Sequence, residues 1–275
     1  DKFGLAQSVS GVLMAVDNIL ALFLLPLFGA FSDKTQTRFG KRTPFIFIGT
    51  VVACVALMCL SFADNMQLAN IEKVSAMDEA ALEVLYDADL EITRPDSAVK
   101  ERLQDVISRE EFVGITQDSA LYSELAVPAR QVYAARMTAQ NPAALICFIG
   151  ILLILLIAMG TFRSPAVALM PDVTPKPLRS KANAVINLMG SFGGISVLIL
   201  GMVFGTGKVS NSLMSYTTFF GVVAGIMLVA LALFCIFVKE PKWSAEMLVE
   251  SAAYGIEDKP DDGSGDRNRS CRPPA

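Results

Sequence analysis

PLFGAFSDKTQTRFGKRTPFI, residues 26–46, decides how the rest of the chain is read. An apolar helix arrives at Gly29 and passes through Ser32 and Asp33. A short polar turn carries Lys34, Arg38, Lys41 and Arg42, and a second apolar helix leaves from Pro44. Four cations in nine residues therefore stand between two apolar runs of membrane-spanning length. Cations gathered beside apolar spans mark the cytoplasmic side of a bilayer.

Working outward, 53% of the 275 residues are hydrophobic and the mean hydropathy is +0.50. The apolar residues fall into five long runs, near 6–31, 44–63, 143–160 with a polar continuation, 182–204 and 213–238. About 20 apolar residues cross a ~30 Å hydrocarbon core as a helix. Backbone in lipid must satisfy its own N–H and C=O groups, so each run is expected to be helical. Lys176, Arg179 and Lys181 follow the third run, and Lys239 and Lys242 follow the fifth. The loop between the fourth and fifth holds only Lys208. The positive-inside bias then starts the chain outside and ends it in the cytoplasm.

The charge is unevenly spread. Residues 64–140 hold 15 acidic and 7 basic groups, against 12 and 16 elsewhere. The expected organisation is membrane helices at 1–63, an acidic helical extracytoplasmic insert at 64–140, membrane helices at 141–240, and a largely disordered cytoplasmic tail at 241–275. Within the insert, Ser75 stands three residues before Asp78, with Met77, Ala81, Leu82 and Leu85 at helical spacing. Val99, Leu103, Val106 and Ile107 repeat the pattern, and a further helical stretch flanks Pro128. The stretch after Ile256 is rich in Gly, Pro and charge and has almost nothing to bury.

Several function classes drop out. There is no histidine, no Walker-type phosphate loop and no G-x-G-x-x-G. Imidazole catalysis and His-ligated zinc are thereby excluded. Cysteines 54, 59, 147, 235 and 271 form no C-x-x-C pair and read as small apolar residues. With no nucleophile–base or metal constellation, the chain is not expected to be an enzyme. No cofactor, metal or nucleic-acid partner is expected. The first residues lack a basic n-region and a cleavage site, and do not read as a signal peptide.

Polar groups inside the apolar runs carry the functional reading. Asp17 and Asn18 lie near the middle of the first run, where an acid costs about 2.5–3.5 kcal/mol on insertion scales. Such a group faces a bundle interior or a water-filled cavity, as a coupling carboxylate or as half of a structural ion pair. Arg163 precedes Ser164 and Pro165, yet AVALM continues after it; it either snorkels to the interface or stays in the bundle. It lies deeper along its helix than Asp17, which makes a shared polar cavity a safer expectation than direct contact. Asn183, Asn187, Gly190 and Gly194 share one helical face, the glycines suiting close helix approach. The asparagines suit substrate hydroxyls or a neighbouring helix. On the cytoplasmic side, Asp33 with Arg38, Lys41 and Arg42, and Asp172 with Arg179, read as gating pairs or as topological charge.

These stretches resemble the major facilitator superfamily. Its signature, G-x-x-x-D-(R/K)…G-(R/K)-(R/K), is met by Gly29, Asp33, Lys34, Gly40, Lys41 and Arg42, with a longer spacer. With RFGKRTPFI, and with RSPAVALMPDVTPKPLRSKANAVINLMGSFGGI at 163–195, it is similar to the branch of melibiose-type sugar:cation symporters and sucrose transporters. The resemblance implies an all-α membrane bundle whose five runs correspond to helices two to six of twelve, part of an N-terminal half. It implies alternating-access symport of a sugar or glycoside with H⁺ or Na⁺, in a lipid bilayer and together with the remainder of the transporter. Melibiose-type carriers place cation-binding carboxylates near where this chain has Ala21 and Leu25, and an acid near where Arg163 stands. The arginine there is more like the sucrose-transporter pattern, which favours protons. Asp17, Asn18, Arg163, Asn183 and Asn187 would line the pathway in the cell membrane. Gly29, Asp33, Lys34, Arg38, Gly40, Lys41, Arg42, Asp172 and Arg179 would form the cytoplasmic gate. Two other readings stay open: efflux of amphipathic compounds, and a non-transporting membrane scaffold that works through residues 64–140.

Overall fold

Five helices form because five apolar stretches are long enough to satisfy their own backbone over a bilayer's width. A computed structural model describes residues 2–5, 7–76, 78–93, 99–117, 119–206 and 213–253. The long helices are α1 (Gln7–Lys34), α2 (Thr43–Asn70), α7 (Ala143–Val173), α8 (Arg179–Phe204) and α9 (Thr217–Phe237). All five are long and apolar enough to cross a membrane. The architecture is an all-α helix bundle, apart from one short strand pair.

α7 is the central post, packing against both α1 and α2, while α9 packs on α2. α2 buries Ile46, Gly49, Ala53, Ala56, Leu60, Ala63 and Gln67, a stripe at three- and four-residue steps. Small residues on it let backbones approach closely. A Cβ on Gly49 would stand 2.9 Å from the Phe162 backbone nitrogen of α7. Ile46, Leu169 and Leu231 close the three-helix seam near the Arg42 end.

α8 differs. Not one of its residues is buried, and no described atom lies within 4 Å of a Cβ built on Gly190 or Gly194. The close helix approach expected of these glycines is therefore not made by any described element. Gly205 sits at φ +62° and ends α8 as a left-handed C-terminal cap, a conformation that only glycine adopts without penalty.

Between α2 and α7 lies a small folded unit with its own core. α3 (Glu79–Asp87), strands β1 (Glu91–Thr93) and β2 (Lys100–Arg102), the short turns α4 (Leu103–Val106) and α5 (Arg109–Val113), a π-helical turn at Tyr122–Ala126 and α6 (Val127–Gln140) surround it. Leu85, Leu90, Ile92, Leu103 and Phe112 are its fully buried centre. Ala81, Leu82 and Leu85 are buried on α3 as their spacing predicts, but its cap differs and a second helical expectation is met only in part. The N-cap of α3 is Asp78, which accepts from Ala81 N–H at 3.0 Å; Ser75 instead bonds back to Glu72, and Met77 lies outside the described residues. The Val99–Ile107 stretch is helical only over the single turn α4: before it β2 pairs antiparallel with β1, Glu101 opposite Ile92, Val99 is exposed, and Ile107 is extended. Its apolar spacing matches a helix period, but the tertiary core takes Ile92 from β1 and Leu103 from the turn that follows β2.

α2 continues to Asn70, past the boundary expected at residue 63. At the other end, Glu240–Ala253 form α10, where tail was expected to begin at 241. Lys208, Cys271 and the expected disorder of 257–275 lie outside the described residues. Cys54 is buried, Cys147 half-buried, and Cys59 and Cys235 exposed; no metal-holding group occurs among the described residues.

Candidate functional site

The charges of residues 33–42 do not form an open loop. Arg42 is turned inward, its side chain 8% exposed, and its guanidinium collects ligands from two helices, α1 and α7. Nε donates to Asp172 on α7 at 2.8 Å, and one terminal nitrogen meets Asp33 on α1 at 2.5 Å. The other donates to the Ser32 hydroxyl, with the Gly29 carbonyl at 3.4 Å. A planar five-donor group can serve all of these at once, which a lysine ammonium cannot.

The last member is one that sequence reasoning missed. Glu240, the first residue of α10, is 4% exposed. Its carboxylate accepts from the backbone N–H groups of Lys41 (2.7 Å), Arg42 (3.0 Å) and Thr43 (2.8 Å), and from the Thr43 hydroxyl (2.8 Å). These N–H groups open α2, whose own N-terminal residue supplies no side-chain cap. Helix N-termini present unsatisfied donors and partial positive charge, so a carboxylate from another helix is bound there strongly. The only advance signal was an acid between Lys239 and Lys242 at the exit of the fifth apolar run.

Gly40 makes room for this. Its φ of +116° and the Glu240 carboxylate lying where a Cβ would be both demand glycine. Thr37 closes the turn, its hydroxyl donating to the Gly40 carbonyl at 2.6 Å. α1, α2, α7 and α10 are thus joined at one end by Arg42, Asp33, Asp172 and Glu240.

Not every expected gate pair is made. Asp172 pairs with Arg42 and not with Arg179. Arg179 donates to the carbonyls of Thr174 (3.2 Å) and Pro171 (3.0 Å), capping the carbonyl end of α7. Arg38 and Lys34 are exposed, and Asp33 pairs with Arg42 rather than with Arg38 or Lys41. Gly29 packs beside Ser164, which donates to the Leu25 carbonyl at 2.7 Å.

The five pathway residues are not brought together. Asp17, Asn18, Arg163, Asn183 and Asn187 are all exposed, and no side-chain hydrogen bond or ion pair joins them to one another among the described residues. The α1–α7 register explains the first pair. Leu24 packs on Gly160 and the two helices run parallel. Asp17 lies seven residues to one side of that contact and Arg163 three to the other. At 1.5 Å per residue they are separated by about 15 Å along the axis. An Asp17–Arg163 ion pair is therefore not made.

The similarity to known proteins lies along α1 and α2. Residues 1–77 match the family of MFS/sugar transport proteins. A sucrose transport protein of Oryza sativa subsp. indica is 27% identical over 63 residues, 23% of this chain and 12% of that protein. The proton-associated sugar transporter A of Homo sapiens is 36% identical over 59 residues, 22% of this chain and 8% of that protein. A sucrose transport protein of Arabidopsis thaliana is 27% identical over 63 residues, 23% of this chain and 11% of that protein. The chain spans about a tenth of the length of the curated relatives it matches. No solved structure matches it. The match covers Gly29 through Arg42 and leaves 163–195 outside it. Five helices long and apolar enough to cross a membrane, together with this similarity to transport proteins, describe a multi-pass membrane protein.

Proposed function

We propose that this chain is part of the N-terminal half of a secondary transporter of the sucrose-transporter-like branch, moving a sugar or glycoside together with protons by alternating access. The observation that carries this reading is the Arg42–Asp33–Asp172–Glu240 network. It lies within and against the stretch similar to sugar transport proteins, and it joins four helices through charges that can separate without unfolding any of them. The network is a cytoplasmic latch, placed inside by its cations, that holds this half in one of two arrangements. A sugar supplies hydroxyls, which suit Asn18, Asn183 and Asn187, and Asp17 is the proton-carrying acid within the span. Their exposure is consistent with a pathway whose other wall lies beyond these helices.

The test is uptake of labelled sugars into proteoliposomes holding the complete transporter, with an inward proton gradient. Asp17→Asn is expected to abolish uphill accumulation while leaving downhill exchange measurable. Undiminished proton-driven accumulation removes Asp17 from coupling. Proton-driven loss of preloaded solute instead establishes export, the competing direction.

A further inference from the structure

The unit between α2 and α7 is welded to the membrane helices at the end opposite Arg42, and the weld has one centre. Asp64, near the end of α2, accepts from Lys2 Nζ at 2.6 Å, both side chains being 7% exposed. The same carboxylate oxygen faces the backbone N–H of Tyr216, one residue before α9, at 3.5 Å. Lys2 Nζ also lies 4.5 Å from the centre of the Tyr216 ring. One turn on, the fully buried Gln67 amide donates at 2.8 Å both to the Lys2 carbonyl and to the Thr138 hydroxyl of α6.

Around that centre the ties spread to each neighbouring helix. Phe3 stacks on Phe148 of α7 at 5.0 Å. Gly4, at φ +61°, lies against the α6 backbone at Gln131 and Ala135, where no side chain fits. Leu213, from the approach to α9, is buried in the core of the unit itself. Thr217 of α9 is held by Ser61 (2.9 Å) and Asn65 (2.8 Å) of α2, and Ser215 by Asn65 (2.8 Å). α1 packs mainly on α7, and α9 mainly on α2.

We propose that residues 2–5, the end of α2 and the approach to α9, docked on the unit between α2 and α7, form a clasp that locks the same-side ends of α1, α2, α7 and α9 into one rigid arrangement, with Asp64 as its pin. A surface ion pair would contribute little, but this pair is out of water and removing one partner strands a buried charge. The clasp confines relative motion of these helices to the Arg42 end, where charges can exchange partners. It does not depend on what is transported.

Hydrogen–deuterium exchange on the whole chain in lipid nanodiscs tests it. Asp64→Ala is expected to raise exchange by roughly tenfold in residues 7–12 and 217–222 while leaving residues 82–92 unchanged. Lys2→Asp combined with Asp64→Lys is expected to return those segments to within about threefold of the parent. Leu213→Ala, which leaves the ion pair intact, is expected to loosen residues 217–222 but not 7–12. Unchanged exchange in both segments for Asp64→Ala overturns the clasp. So does a uniform rise that includes residues 82–92 for both Asp64→Ala and Leu213→Ala, since each would then act only on general stability.

Discussion

At the scale of single residues, Glu240 and Arg42 do opposite jobs in one network. Glu240 accepts from four donors at the start of α2, whereas Arg42 donates to two carboxylates, a hydroxyl and a carbonyl. Glu240→Gln keeps the shape but turns an amide NH₂ toward N–H groups. It is expected to cost about 1–3 kcal/mol, read as a lower thermal midpoint in detergent. Arg42→Lys keeps the charge but loses the fork, with a similar expected loss of about 1–3 kcal/mol. Asp33→Asn is expected to cost less than about 1 kcal/mol, because Asp33 is 61% exposed. If the three variants prove equal, net charge rather than geometry holds this end together.

Lys2 gives a pH signature at the other end. Burial pulls its ammonium below the ordinary value of 10.5, and the bond to Asp64 offsets only part of this. The unfolded chain then binds the Lys2 proton more readily than the folded one, so stability rises with pH between the lowered value and 10.5. Tyr216 is pushed above its ordinary value of 10.0, chiefly by burial, and acts in the opposite sense only above that value. As pH rises toward 10.5 the parent is expected to gain thermal stability relative to Lys2→Met. A constant difference across that range would show that Lys2 does not titrate there.

At the scale of elements, two glycines set how helices meet. Gly40→Ala places a Cβ in the Glu240 carboxylate and strains a positive φ, so it is expected to displace Glu240 from the N-terminus of α2. Its thermal loss should shrink when combined with Glu240→Ala, because the clash then has no target. Gly49→Leu would drive α2 away from Phe162 and is expected to cost more than about 2 kcal/mol. Proteolysis in detergent should then cut near the α2–α7 seam, while the separate core around Phe112 stays protected.

At the scale of the whole molecule, the solvent decides. α8 buries nothing, and Phe192, Leu198, Met202 and Val203 stand more than half exposed. Contiguous apolar surface of that extent is not stable against water. The chain is expected to sediment from detergent-free buffer and to run as a discrete species in micelles or nanodiscs, measured by size-exclusion chromatography.

The sequence by itself determined the five spans and the cationic turn, because those depend on composition and on one-dimensional periodicity. It also marked Gly29, Asp33, Gly40, Arg42 and Asp172 through a motif. Only the tertiary structure decided that Asp172 serves Arg42 and leaves Arg179 to cap α7, since a charge picks its partner by proximity in space. Glu240 and Asp64 were silent for the same reason. Each acts on residues more than 60 or 150 positions away, and no local pattern records such a distance. The pairing of 91–93 with 100–102 is not legible in sequence, because four apolar residues at helical spacing cannot say which of them a core will bury.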